Sequence, residues 1–342
     1  MRILHVNNIN QVARIYADEL AIRGHTVAVY EPSLRGGFAP LPVKLTLMPE
    51  RIFDLRRIVG SLNTSHYDIV HIHWASYGVL GLVSRLPFIV HCHGNDVRDR
   101  LKYPLYRQIL ITLLRRAAAV LCVTPDLLPY VRAIRPDAIF SPGPIDTEQF
   151  VPGQSGHHHL PDSWTIMLFA RFDPEKGTET AIQGIVRFAD RHPGVHVRLL
   201  DKGPQKAEYR RRYGERFEFF PVVADDEVPR LLQSADVIVG QFSGALGLSE
   251  LQAMSCAKPL IASFCYGDAY PISPPLCNAT SPEEVDEHLE NLFQHREVAT
   301  ALGGKARNWV ISNHDKKALV TRLETLYESI VGHIREPDLL LS

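Results

Sequence analysis

Short apolar runs alternate with stretches of helical spacing along most of the chain. RILHV (2–6) and TVAVY (26–30) bracket NQVARIYADELAIRG (10–24), whose apolar positions recur every three or four residues and which closes on Gly24. YDIVHIH (67–73), PFIVHC (87–92) and AVLCVT (119–124) are short, β-branched and bounded by polar or turn residues, which predicts buried strands. Segment 32–50 is rich in Pro and Gly and reads as an irregular loop. The alternation stops at SPGPIDTEQFVPGQSGHHHLPDS (141–163), which holds four Pro and three Gly without period and reads as a linker. A second series follows: TIMLFA (165–170), VHVRLL (195–200), FEFF (217–220), ADVIVG (235–240) and PLIAS (259–263). From 281 the pattern is helical, opened by a capping box from Ser281 to Glu284. Strand–helix alternation in two series predicts an α/β protein of two Rossmann-like, doubly wound domains, 1–145 and 164–314, joined by a linker at 146–163 and facing a central cleft. In such sheets the ligand sits beyond the carboxyl ends of the strands.

Composition narrows the class. The chain has 342 residues, enough for two cores, and its net charge of −1 gives no general electrostatic case for nucleic acid. The charge is uneven: residues 1–150 carry 17 basic and 12 acidic groups, and 151–342 carry 20 and 26. A basic first half could face an anionic acceptor or a membrane surface. The five cysteines are scattered, odd in number and form no C-x-x-C pair, which predicts reduced thiols and a cytoplasmic protein. MRILHVNN enters a strand pattern directly, unlike a signal peptide, and no apolar run has the length of a membrane span.

Two segments carry candidate chemistry. In TIMLFARFDPEKG (165–177) an apolar run ends at Arg171, and Lys176 and Gly177 precede a helical pattern. A strand that delivers two cations to the mouth of a helix makes a place for a diphosphate. In QFSGALGLSELQAM (241–254) Gly244 and Gly247 stand before a second helix, where bare backbone N–H groups can approach phosphate oxygens. Together they point to a bound nucleoside diphosphate. His157–His158–His159 lies in the linker with no Cys or carboxylate partner, so no metal site is expected there.

These segments, with others, carry a resemblance. YDIVHIH followed by PFIVHCHGND, LCVTPDLLPYV followed by SPGPIDTEQFVPG, FARFDPEKG, and LGLSELQAMSCAKPLIAS resemble the successive motifs of the retaining GT-B glycosyltransferases of the family-4 type, the glycosyl transferases group 1. The resemblance covers nearly the whole chain, and the last two segments are its specific part. It implies a metal-independent hexosyltransferase-like enzyme without a cofactor, whose substrates are a nucleotide-sugar donor and a hydroxyl acceptor of unknown identity. The first domain would select the acceptor. The second would hold the donor, and residues 315–342 would pack back toward the first. Arg171 and Lys176 would grip the diphosphate and stabilise charge on the leaving oxygen. The backbone of Gly247, Leu248 and Ser249 would do the same from the helix terminus, and His93 would lie under the donor sugar and steady positive charge at its anomeric carbon. Asp96 would order the loop. Of His71 and His73, strand alternation is read as turning one inward and the other outward.

The chain also departs from the family. The family's E-x7-E pair appears as Gly244 and Gln252. Gln252 can still hydrogen-bond a ribose, but Gly244 replaces no carboxylate, which leaves Glu250 as the nearest substitute or simply as a helix-start acid. The usual Gly-Gly loop after the first strand is Asn7-Asn8-Ile9-Asn10-Gln11, with Asn10 either facing phosphate or capping a helix. Asp201 replaces a glycine near the expected base. RDRLKYPLYRQILITLLRR (98–116) is basic with an apolar stripe, suited to covering the sheet or to a peripheral contact with the inner face of a membrane. The reading is a retaining glycosyltransferase. The rivals are a non-catalytic partner subunit of the same fold, a nucleotide-sugar epimerase, or a sugar phosphorylase.

Overall fold

The computed structural model describes residues 1–32, 46, 48–64, 66–153 and 164–339. The chain forms two compact units, Met1–Pro144 with Lys316–Ser342, and Ile145–Asp315. Most of the loop expected over 32–50 lies outside the described residues, as does the triple histidine at 157–159. From Met48 the chain is already helical, to Thr64.

The first unit holds β1 (Arg2–Val6), β2 (Thr26–Tyr30), β3 (Ile69–His73), β4 (Phe88–Cys92), β5 (Ala119–Cys122) and β6 (Ile139–Phe140). They form one parallel sheet in the order β2-β1-β3-β4-β5-β6. Parallel pairing needs crossover helices, and these cover both faces. On one face Leu4, Val6, Val70, Ile72, Val90 and Cys92 are buried with Leu110 and Leu114 of the helix Pro104–Arg116. On the other, Ile3, Ile69, Ile89 and Leu121 pack with Val12, Tyr16 and Leu20 of the helix Val12–Ile22 and with Leu319, Val320, Leu323 and Tyr327 of the final helix. That final helix, Lys316–Leu339, belongs to the first unit although it follows the whole of the second. Arg23 and His25 hold it from outside, reaching Glu324 at 3.1 and 2.6 Å.

The second unit repeats the plan. Its strands β7 (Trp164–Leu168), β8 (Val195–Leu200), β9 (Glu218–Phe220), β10 (Val237–Val239), β11 (Leu260–Ala262) and β12 (Cys277–Asn278) run parallel in the order β12-β11-β10-β7-β8-β9. β7 is central, and the chain proceeds to β8 on one side and returns to β10 on the other. The gap between the carboxyl ends of β7 and β10 is therefore the topological switch point. The two-residue edge strands β6 and β12 escape the sequence pattern because so short a run shows no period.

On the second sheet the helices Thr178–Arg191 and Pro282–Gln294 meet at Gly184. A Cβ added there would come within 2.5 Å of the Val285 Cβ. Gly184→Val is expected to cost about 1–3 kcal/mol by overpacking, read as an earlier midpoint in chemical denaturation. An unchanged midpoint would contradict this close approach.

Candidate functional site

The carboxyl edge of the second sheet gathers three loops. After β7 the chain passes through Ala170, Arg171 and Phe172 into a turn at Pro174–Lys176, whose start is capped by the Asp173 side chain. Gly177 takes φ +60° and opens the helix Thr178–Arg191. Only glycine is unstrained there, and a Cβ would also lie 2.8 Å from that of Phe242. The Phe242 N–H donates to the Lys176 carbonyl at 2.7 Å, which fastens the loop after β7 to the loop after β10. The third loop, Asp201–Gln205, is tied to the first twice: the Phe172 N–H donates to Lys202 O at 2.7 Å and the Gln205 N–H to Phe172 O at 3.1 Å. Arg171 is exposed and touches Asp173 at 3.3 Å, while Lys176 is half-buried. Asp201 pairs with Arg210 at 2.7 Å.

The loop after β10 leads through Gly244, at φ +83°, to the helix Leu248–Ser255. Gly247, Leu248 and Ser249 are half-buried at its start, and Gln252 is half-buried one turn on. The first N–H groups of a helix lack intrahelical partners, so Leu248 and Ser249 face a place suited to an anion. The Gly247 N–H is not available in the same way: it donates to Glu250 Oε2 at 2.9 Å. Glu250 is buried, and its Oε1 accepts from the Gln241 N–H at 3.0 Å. Both carboxylate oxygens thus serve backbone donors. Ser249 Oγ also donates to Oε2 at 3.3 Å, so Glu250 fastens the loop 241–247 to the helix.

In the first unit the carboxyl edge carries a different cluster. Strand register sets His5 beside His71 and His73 beside His91. His5, His71, His73 and His91 are fully buried, on the face that bears Ile3, Ile69 and Ile89 lower on the same strands. The expectation that His71 and His73 face opposite ways is overturned. Positions two apart share a face in a period-two strand, and their rings stack at 4.3 Å with planes 10° apart. His5 Nδ1 lies 2.9 Å from His73 Nε2, and His73 Nδ1 lies 3.2 Å from Nε2 of the half-buried His93. His71 Nδ1 meets the Tyr327 hydroxyl at 2.5 Å, His71 Nε2 meets His91 Nδ1 at 3.2 Å, and His91 Nε2 reaches Ser141 O at 3.4 Å.

Burial, and then the neighbouring rings, push the pKa values of His5, His71, His73 and His93 down, that of His5 to about 3. For His91 burial wins over the Ser141 carbonyl, which favours the charged form, and the pKa falls to about 4. The rings are therefore neutral near pH 7. His5, His71 and His73, and likewise His73, His91 and His93, bring nitrogens within 4.8 Å of one another, a spacing that a metal ion could use. Nitrogens of all five rings already bond within this cluster, so a cation would compete with those bonds.

Around it, Asp96 accepts from the N–H groups of Ala75, His93 and Gly94 at 2.8, 3.0 and 2.7 Å, ordering the turn after β4. Asn10 is exposed at φ +50°, in a loop where Asn7 and Gln11 are also left-handed. His5, His91, Tyr16 and Tyr327 were not singled out by the sequence reading. The available signal was a histidine near the end of each of three apolar strands.

Acid sensitivity follows from the buried rings. Below about pH 6.5 a histidine in the unfolded chain is protonated, whereas folded His5 and His91 take a proton only near pH 3 and 4. The unfolded state binds more protons across that window, so stability falls as pH falls. Urea unfolding between pH 7 and 5 should show a loss approaching about 1.4 kcal/mol per pH unit for each ring at the lower end. His5→Phe and His91→Phe should flatten the profile. A wild-type stability unchanged over that range would contradict a neutral, buried cluster.

Comparison with known proteins agrees with this architecture. The glycosyl transferase 4-like domain matches residues 9–139, and glycosyl transferases group 1 matches residues 155–309. The chain is 22% identical to the GDP-mannose-dependent alpha-(1-6)-phosphatidylinositol monomannoside mannosyltransferase of Mycobacterium tuberculosis, over 92% of this chain and 91% of that one. It is also 22% identical to the D-inositol 3-phosphate glycosyltransferase of Actinosynnema mirum, over 58% of this chain and only 56% of that relative. Among solved structures it is similar to Anabaena HepE in complex with UDP-glucose, with TM-score 0.71, 16% identity, and 96% and 100% of the two chains covered. It is likewise similar to sucrose-phosphate synthase from Thermosynechococcus elongatus, with TM-score 0.74, 17% identity, and 97% and 100% covered. These structures share the GT-B fold of two Rossmann-like domains, and with both family matches lying on the two units described, the chain belongs to the group 1 glycosyltransferases.

Proposed function

We propose that this glycosyltransferase takes a sugar from a nucleoside diphosphate sugar held by the second unit and transfers it to a hydroxyl with retention at the anomeric carbon. The observation that carries the proposal is the switch point between β7 and β10. One loop there bears Arg171 and Lys176, the other opens the helix at Leu248, and the Phe242-to-Lys176 bond of 2.7 Å joins them. Breaking the bond from sugar to diphosphate builds negative charge on the leaving oxygen. Two fixed cations and two helix N–H groups stabilise that charge without a metal ion. Gln252 lies one turn along the helix from those N–H groups, in reach of a ribose. The names of relatives support a donor of this class: GDP-mannose for the mycobacterial enzyme and UDP-glucose for Anabaena HepE. We further propose that His93 hydrogen-bonds the transferred sugar and that Asn10 serves the phosphates.

The first unit would select the acceptor. An acceptor tethered to an anionic lipid fits the helix Pro104–Arg116, where Leu110, Leu113 and Leu114 are buried while Leu105 is 74% exposed. Tyr103 beside it is 57% exposed. Arg100, Lys102 and Arg107 flank these apolar groups in sequence, and Arg115 and Arg116 end the helix, as on a surface helix at a charged membrane. On this reading the enzyme works at the cytoplasmic face of a membrane. No helix among the described residues is long and apolar enough to cross a membrane.

Arg171→Ala and Lys176→Ala should each slow release of nucleoside diphosphate from the donor by on the order of 10²- to 10³-fold, with unfolding curves unchanged. Normal turnover in both variants would remove the diphosphate assignment. Vesicle flotation tests the lipid reading: the protein should float with phosphatidylglycerol-containing vesicles, and Leu105→Asp with Tyr103→Asp should abolish it. Equal recovery with purely zwitterionic vesicles would contradict an electrostatic contact.

A further inference from the structure

The histidine cluster consists of two hydrogen-bonded chains, and the direction of one is fixed by its ends. The Ser141 carbonyl can only accept, so His91 carries its proton on Nε2 and accepts at Nδ1. His71 then donates from Nε2 and accepts from the Tyr327 hydroxyl at Nδ1. Every nitrogen of these two neutral rings has its role.

The second chain runs His5 Nδ1, His73 Nε2, His73 Nδ1, His93 Nε2. Its two ends are unlike. His5 Nε2 is buried with no hydrogen-bond partner among the described residues, whereas His93 is half-buried. If the protons pointed inward, His5 would bury an N–H with nothing to accept it. If they point outward, His5 buries only a bare lone pair. Orphaned buried N–H groups are the rarer and costlier of the two. The outward order makes His5 Nδ1–H donate to His73 Nε2 and His73 Nδ1–H donate to His93 Nε2. The His93 main-chain N–H is separately engaged by Asp96 at 3.0 Å, so the ring is steered by His73 and its backbone by Asp96.

We infer that His73 and His5 are positioning residues that hold His93 as a neutral imidazole with its proton on Nδ1, so that the ring offers a donor and withholds a base. His93 then presents an N–H to an oxygen acceptor and takes no proton from a hydroxyl. The tautomer stands on the geometry alone; its use in transfer rests on the proposal that His93 meets the sugar.

Histidine-selective ¹⁵N spectra of the full chain at pH 7 test it, with His93→Gln used to assign the ring. The expected result is a protonated Nδ1 and an unprotonated Nε2 on His93. In His73→Leu both nitrogens should move toward a common averaged shift, and turnover should fall by up to about 100-fold through lost orientation. His5→Leu should produce a smaller change in the same direction. A wild-type His93 protonated on Nε2, or on both nitrogens, overturns the inference, and this spectrum decides even where a variant does not fold. Unchanged His93 shifts in folded His73→Leu also overturn it. The expected tautomer together with normal turnover in His93→Ala upholds the relay and removes the sugar contact instead.

Discussion

Parallel strand pairing constrains everything else in this protein. A parallel sheet is reached through crossover helices, which cover both of its faces. Polar chemistry can then emerge only where strands end. Both sheets obey this. In the second unit the strands β7 and β10 are apolar except for Thr165, and the cations and the helix-opening N–H groups appear in the segments beyond them. The stitching between those loops is mostly backbone to backbone, so the side chains proposed to meet the diphosphate are released from holding the fold. Arg171 is accordingly exposed, with Asp173 beside it at 3.3 Å.

The first unit treats the same edge differently. Its inner face is isoleucine at the bottom of β1, β3 and β4 and histidine at the top. Neutral imidazoles are compatible with burial because each can donate and accept once. Linked head to tail, they satisfy one another except at His5 Nε2, which has no partner among the described residues. The cost falls on protonation, which the cluster resists through burial and through its own crowding. The final helix completes the arrangement by supplying Tyr327 to His71. With the burial of Leu319, Val320 and Leu323, that bond fastens the final helix to the first unit.

Much of this was legible in the sequence. The runs RILHV, YDIVHIH and PFIVHC carried the first sheet because buried parallel strands are short, β-branched and sharply bounded. The segment from Arg171 to Gly177 was legible as a turn into a helix because a glycine there precedes a run of helical spacing, and the structure has that turn and helix. What escaped depends on tertiary contact. Nothing in QFSGALGLSELQAM shows that the Glu250 carboxylate turns back to Gln241 and Gly247. Nor does one strand reveal that its histidines will stack on those of its neighbours, since that needs the register of three strands at once. The misjudged faces of His71 and His73 are a different matter: the strand period alone settles them.

The central claim is that the second unit binds a nucleoside diphosphate at the β7–β10 switch point. Thermal unfolding of the wild-type chain with UDP, GDP, ADP and dTDP, each alone and as its glucose or mannose conjugate, tests it most directly. A ligand that binds only the folded state raises the melting temperature by mass action. The account requires a shift with at least one diphosphate, larger with one attached sugar and lost in Arg171→Ala. No shift with any of them, on protein that unfolds cooperatively, would contradict it and favour a non-catalytic member of the same fold, a reading that the Gly244 replacement already invites.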